Sequence, residues 1–181
     1  SCLSPEFKNM ALDDCAKSIL SGKLVWAPGT IFAYGENSMQ VAGAMAERAT
    51  GKLWSQLVKD ELTGPLAMTR TDYGVNDRTG LEFTNPTVAG GARSTMADYA
   101  NVVQMILQRG TFKGQKYLST DSIAEMQRDQ TDGVPVYPDA DPFPDAFGYG
   151  YGQWRNLVDC TGTAVEISAT GVYGTSGWVN Y

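Results

Sequence analysis

The chain has 181 residues, 43% apolar and 19% charged, a balance that suits a folded domain, or part of one, with a sizeable core. Its net charge of −6, with no basic stripe, argues against a phosphate-backbone partner such as nucleic acid. No run approaches the roughly 20 apolar residues of a membrane span. There is no histidine, so Ser-His-Asp and Cys-His catalysis are excluded within this chain and zinc loses its commonest ligand. Proton transfer would fall to Lys, Tyr, Glu or Asp.

In chain order, residues 1–9 read as irregular, and the opening carries no secretory leader pattern, so a leader is expected to have been removed or never to have been present. Cys2 and Cys15 flank a Pro-containing loop and a helix start. A disulfide between them would be worth roughly 3 kcal/mol and would imply an extracytoplasmic compartment; two buried thiols are the alternative. Asp13 and Asp14 open a helix with Leu12, Cys15, Ile19 and Leu20 on one side, stopped by Gly22. Pro28-Gly29 marks a turn, followed by a short extended run through Phe32, an exposed Tyr34 and a small polar loop. Asn37 or Ser38 is expected to cap the next helix, with Ala42, Met45, Ala46 and Ala49 as its apolar stripe and Gly51 as its C-cap. A Tyr on a loop just before a small-residue helix is well placed to present its phenol to a cleft.

Trp54, Leu57 and Val58 mark another helix, ended by Gly64-Pro65, and residues 70–92 read as loop with short strands. Thr95 and Asp98 resemble a capping box for a helix carrying Tyr99, Val102, Val103 and Ile106. A hairpin-like connection over 111–118 leads to a helix capped by Ser119 or Thr120. The Pro- and Asp-rich segment 131–146 reads as a solvated loop; its D-x-D lacks the spacing of a calcium loop, and no metal or other cofactor is expected. Tyr149, Tyr151 and Gln153 alternate with glycines, which predicts a strand, with further strands over 163–168 and 172–181. Cys160 is expected to be a packed strand residue, not a nucleophile, since it has no partner to lower its pKa. Helices precede strands, so the fold class is α+β.

Three segments carry a family resemblance. They are P-G-T-I-F-A-Y before a helix ending A-T-G-K (residues 28–52), G-P-L-A-M-T (64–69) and A-G-G-A-R-S-T-M-A-D (89–98). In that order they resemble the serine β-lactamase-like hydrolases: class C β-lactamases, DD-peptidases and their esterase relatives. The resemblance implies a β-lactamase/transpeptidase-like α+β fold. Residues 1–130 would form a helical lobe with the Tyr loop, 131–146 a loop over the cleft, and 147–181 strands.

The family works by acyl transfer: a Ser attacks a carbonyl, a Lys three residues on assists, and a Tyr relays the proton. No serine of this sequence has Lys three residues later. The resemblance therefore implies a fragment or one chain of a processed protein, inactive by itself, whose nucleophile lies on a second fragment. Tyr34 fits the phenolic relay, with a structural Tyr as the bland alternative. Glu36 stands where the family's Y-x-N has Asn, and its carboxylate disfavours a phenolate and acidic substrates. Ala169-Thr170-Gly171 corresponds to an edge-strand [K/H]-T-G motif without its cation, and the Val172 amide would be half of an oxyanion hole; an ordinary strand and turn is the alternative. Tyr149, Tyr151 and Trp154 line the cleft or pack in the core. The expected function is serine hydrolysis of a small ester, amide or β-lactam in an extracytoplasmic setting. A non-catalytic binding module of the same fold is the alternative.

Overall fold

Leu12, Cys15 and Ala16 recur at helical spacing, and they form the buried face of helix α1 (Leu12–Leu20). The structure, a computed structural model, describes residues 2–74, 82–131, 133–137, 146–171 and 175–181. Its chain divides into two compact units, one of Ser1–Val25 with Gly35–Tyr99 and one of Trp26–Tyr34 with Ala100–Tyr181.

In the first unit a disulfide joins Cys2 to Cys15, with the Cα atoms 5.4 Å apart. Asp13 and Asp14 sit in the first turn of α1, where carboxylates complement the helix dipole. Helix α2 (Glu36–Thr50) ends on Gly51 at φ 71°, a left-handed C-cap. Its start differs from the expectation. The N-cap is Gly35 with no side-chain capping bond, while Asn37 and Ser38 lie inside the first turn. Its inward face differs too. Gln40, Gly43 and Ala44 are buried, whereas Met45 is 65% exposed and Ala42 and Ala49 face outward.

A polar network turned the helix this way. The Gln40 amide donates to Asn85 Oδ1 (2.9 Å) and to the Pro86 carbonyl (2.8 Å), and its oxygen accepts the Val88 amide (3.0 Å). Asn85 in turn donates to the Cys2 and Phe7 carbonyls. Every bond of this buried set is made inside protein, where an unmade one would cost most. Gly43 admits Val88: a Cβ there would lie 2.6 Å from Val88 Cγ2. Leu12, Ala16, Ala44 and Val88 form the core around this contact.

Helix α3 (Trp54–Val58) continues through a π-turn over Lys59–Thr63. The two-residue strands β1 (Asp72–Tyr73) and β2 (Ala92–Arg93) pair antiparallel. Helix α4 (Met96–Leu107) starts in this unit. The expected capping box is half made: the Asp98 amide bonds Thr95 Oγ1 (3.3 Å). The Asp98 carboxylate turns away to accept the Arg70 amide (2.6 Å) and the Thr71 hydroxyl (2.9 Å).

In the second unit, strands β3 (Thr111–Phe112) and β4 (Gln115–Lys116) form a hairpin whose turn, Lys113-Gly114, has both φ values positive, as a type I′ turn needs. Helix α5 (Thr120–Gln127) is capped by Ser119, which accepts the Ser122 amide at 2.9 Å. A three-stranded antiparallel sheet follows in the order β5 (Trp154–Val158), β6 (Ala164–Thr170), β7 (Ser176–Asn180). Ala164, Ile167 and Val179 pack against Val103, Ile106 and Tyr181.

The strand predicted from Tyr149 to Gln153 is instead a tight strap. Gly148 and Gly152 adopt left-handed φ of 102° and 78°, the Gly150 amide bonds the Gln153 carbonyl, and Tyr149 bridges Trp154 across the turn. Cys160 also departs from its expected role. It is exposed and unpaired in the turn that Asp159 builds by accepting the amides of Thr161 and Thr163.

Candidate active site

Tyr34 is 39% exposed, and its ring packs against two aromatic neighbours. The ring lies edge-on to Tyr149 (centroids 5.8 Å, planes at 74°) and tilted on Trp154 (5.4 Å, 46°). Phe32, two residues earlier and therefore on the same side of an extended segment, contacts Tyr149 at 5.4 Å and Trp154 at 6.3 Å. The segment is tied down by backbone pairing: the Phe32 amide bonds the Pro135 carbonyl (2.9 Å), and the Tyr137 amide bonds the Phe32 carbonyl (2.8 Å). Burial, and next the neighbouring Tyr34, push the Tyr149 phenol up to about 12, so Tyr149 stays neutral at physiological pH.

The other predicted residues fall as follows. Trp154 stands in register opposite Ser168, one residue before Ala169, so the Tyr34 seat and the Ala169-Thr170-Gly171 segment share one end of the β5–β6 pair. Ala169 pairs Gly177 and Thr170 pairs Ser176, while the Gly171 amide bonds the Thr175 carbonyl at 2.7 Å. Among the described residues β6 lies between β5 and β7, so this segment ends a central strand and not an edge strand. Val172 lies outside the described residues, as does the D-x-D of the 131–146 loop. Glu36 is exposed at the first position of α2, in the first unit. Tyr151 is 56% exposed, and Trp154 is buried.

Among the described residues no group of three His, Cys, Asp or Glu could hold a metal, and no helix is long and apolar enough to cross a membrane. A cavity of about 340 Å³ lies in the first unit, between Val58, Met68, Thr71 and Tyr73, and none of the predicted site residues lines it. Phe32, which packs on the same two rings as Tyr34, is the aromatic to which the sequence reading gave no role. The available signal was the Phe32–Tyr34 spacing of two.

The beta-lactamase family model matches residues 3–181. The chain belongs to the beta-lactamase family. A crystal structure of a candidate beta-lactamase from Bacteroides dorei DSM 17855 is similar with a TM-score of 0.82 and 36% identity, over 96% of this chain and 53% of that one. A beta-lactamase/D-alanine carboxypeptidase from Yersinia pestis, complexed with citrate, shares the fold with a TM-score of 0.64 and 19% identity, over 93% of this chain and 54% of that one. The Mycobacterium tuberculosis protein Rv1367c is 24% identical over 86% of this chain and 45% of its own length. The chain thus spans about half the length of these relatives. The fold is the beta-lactamase/transpeptidase-like α+β arrangement, with five α-helices and short antiparallel strands among the described residues.

Proposed function

We propose that the protein to which this chain belongs is a serine hydrolase acting by acyl transfer on a small ester or amide, with Tyr34 as its proton relay. The observation that carries the reading is a partly exposed Tyr34 held on an aromatic seat, whose Trp154 stands in register with Ser168, two residues before Thr170-Gly171. In the proposed reaction a serine hydroxyl supplied by polypeptide outside this sequence attacks the carbonyl carbon. Its proton passes to the Tyr34 oxygen and on to the leaving group as the carbonyl–heteroatom bond breaks. Water then cleaves the acyl-enzyme by the same relay in reverse. Backbone amides at the strand end, that of Val172 among them, take the oxyanion.

Ala169 supplies no cation and Glu36 adds an anion, so neutral esters and amides are favoured over substrates bearing a carboxylate. The Cys2–Cys15 disulfide supports an extracytoplasmic setting. The same two departures, Ala169 and Glu36, also favour a second reading, a binding module that keeps the fold without the chemistry.

Intact-mass analysis of the full-length protein after treatment with a fluorophosphonate separates the two. A single phosphonyl adduct, on a serine followed three residues later by lysine, is expected of the hydrolase. No adduct, together with no nitrophenyl ester turnover, would leave the binding module. Residues 1–181 as an isolated chain are expected to hydrolyse no ester above the buffer rate.

A further inference from the structure

Tyr149 sits on a strap that is fixed along its length. The Gln130 amide donates to the Tyr149 carbonyl (2.9 Å), the Tyr151 amide donates to the Met126 carbonyl (2.8 Å), and Tyr149 bridges Trp154. Two glycines let the strap lie this close. A Cβ on Gly150 would fall 2.1 Å from the Met126 carbonyl oxygen, and one on Gly148 would fall 2.4 Å from Asp129 Oδ1. Arg155, buried beneath, donates to the Phe147 and Gly162 carbonyls and so holds the strap to the β5–β6 turn. The Tyr149 and Trp154 rings stand at 67° with centroids 4.9 Å apart, both buried, and make two walls of a corner into which Tyr34 fits. Tyr34, by contrast, comes from a segment whose preceding stretch, residues 21–30, is wholly exposed. The buried corner is the host, and Tyr34, on a segment held by the Phe32 pairing, is the guest.

We infer that Tyr149, backed by Trp154, is a positioning residue for Tyr34: its ring, packed crosswise to that of Tyr34, sets the direction in which the Tyr34 phenol points. This rests on the relay role proposed above. Packing of the Tyr34 ring against two buried aromatic rings restricts rotation about both of its side-chain torsions, so the effect belongs to orientation and not to substrate binding.

The test uses the full-length protein and a nitrophenyl ester. Tyr149→Phe, which keeps the ring, is expected to stay within about twofold of wild type, while Tyr149→Leu lowers kcat about tenfold with KM within about twofold. In a Tyr34→Phe background, Tyr149→Leu should cause no further loss, since it acts through the missing hydroxyl. Independently of activity, Tyr149→Leu should move the Tyr34 NMR signal that reports its side-chain torsions, the Hα–Hβ couplings, towards rotamer-averaged values, and Tyr149→Phe should not. The inference is overturned if Tyr149→Leu keeps full kcat, or if its loss persists undiminished in the Tyr34→Phe background. If Tyr34→Phe alone retains full turnover, the relay reading falls by itself. The NMR then decides: an unmoved Tyr34 signal in Tyr149→Leu overturns the seat, and a moved one sustains it. Should Tyr149→Leu fail to fold by circular dichroism, Trp154→Phe is read in the same way.

Discussion

The relay role proposed for Tyr34 requires a phenol that is both reachable and held still. Tyr34 is 39% exposed, and its ring packs edge-on to Tyr149 and tilted on Trp154. Buried phenols also set a pH limit on the fold. Tyr73 and Tyr149 are each pushed from the ordinary 10.0 up to about 12, Tyr73 by burial and Tyr149 by burial and then Tyr34. Above pH 10 the unfolded chain releases these two protons while the folded chain retains them, so stability falls as pH rises through this window and is fully present below it. Thermal melts should therefore show a falling midpoint from pH 10 towards 12, with a shallower fall in Tyr73→Phe. A flat midpoint over that range would contradict the burial of both hydroxyls. At this level the sequence exposed Tyr34 through its P-G-T-x-F-x-Y setting, but not its seat, because Tyr149 and Trp154 come from more than a hundred residues away.

Helix α2 shows why its own face was misread. Apolar periodicity selects Ala42, Met45, Ala46 and Ala49, yet the inward position is taken by Gln40, whose amide finds three partners in the 85–88 segment. A rule that counts apolar residues cannot see a glutamine that is fully paired by a loop more than forty residues away. Gln40→Ala is expected to lower the unfolding free energy by about 3 kcal/mol or more, read by urea denaturation, because three buried groups lose their partner at once. A loss below about 1 kcal/mol would mean that water reaches the site. The strap before β5 failed for a related reason. Glycines at every second position mimic a strand period, but here they supply left-handed turns and close approach to Met126 and Asp129. Gly150→Ala should destabilise by about 3 kcal/mol or more in the same assay, since the new methyl meets a backbone carbonyl that cannot move aside. By contrast Gly51, Ser119 and the β6 strand were legible, since each is decided by neighbours in sequence.

The fold class and the family were legible in the sequence because their signals lie in short contiguous motifs spread along the chain. How the segments group into compact units depends on contacts between residues distant in sequence. Residues 26–34 group with 100–181, so the Tyr34 segment belongs with the strands and not with the helix that follows it. Where a nine-residue segment packs is decided by its pairing with Val136 and by the aromatic corner, both distant in sequence. The Cys2–Cys15 bridge closes a loop of 13 residues and anchors the segment to which Asn85 bonds. Reduction, or Cys2→Ser, is expected to lower stability by about 3 kcal/mol, seen as a drop in melting temperature that reoxidation reverses only in the wild type. The central claim concerns the phenol itself. Its most direct test is the acylation rate of the full-length protein with a nitrophenyl ester, wild type against Tyr34→Phe, by rapid mixing. A fall of about a hundredfold or more with unchanged substrate affinity is the predicted result, and acylation by Tyr34→Phe at the wild-type rate would contradict it.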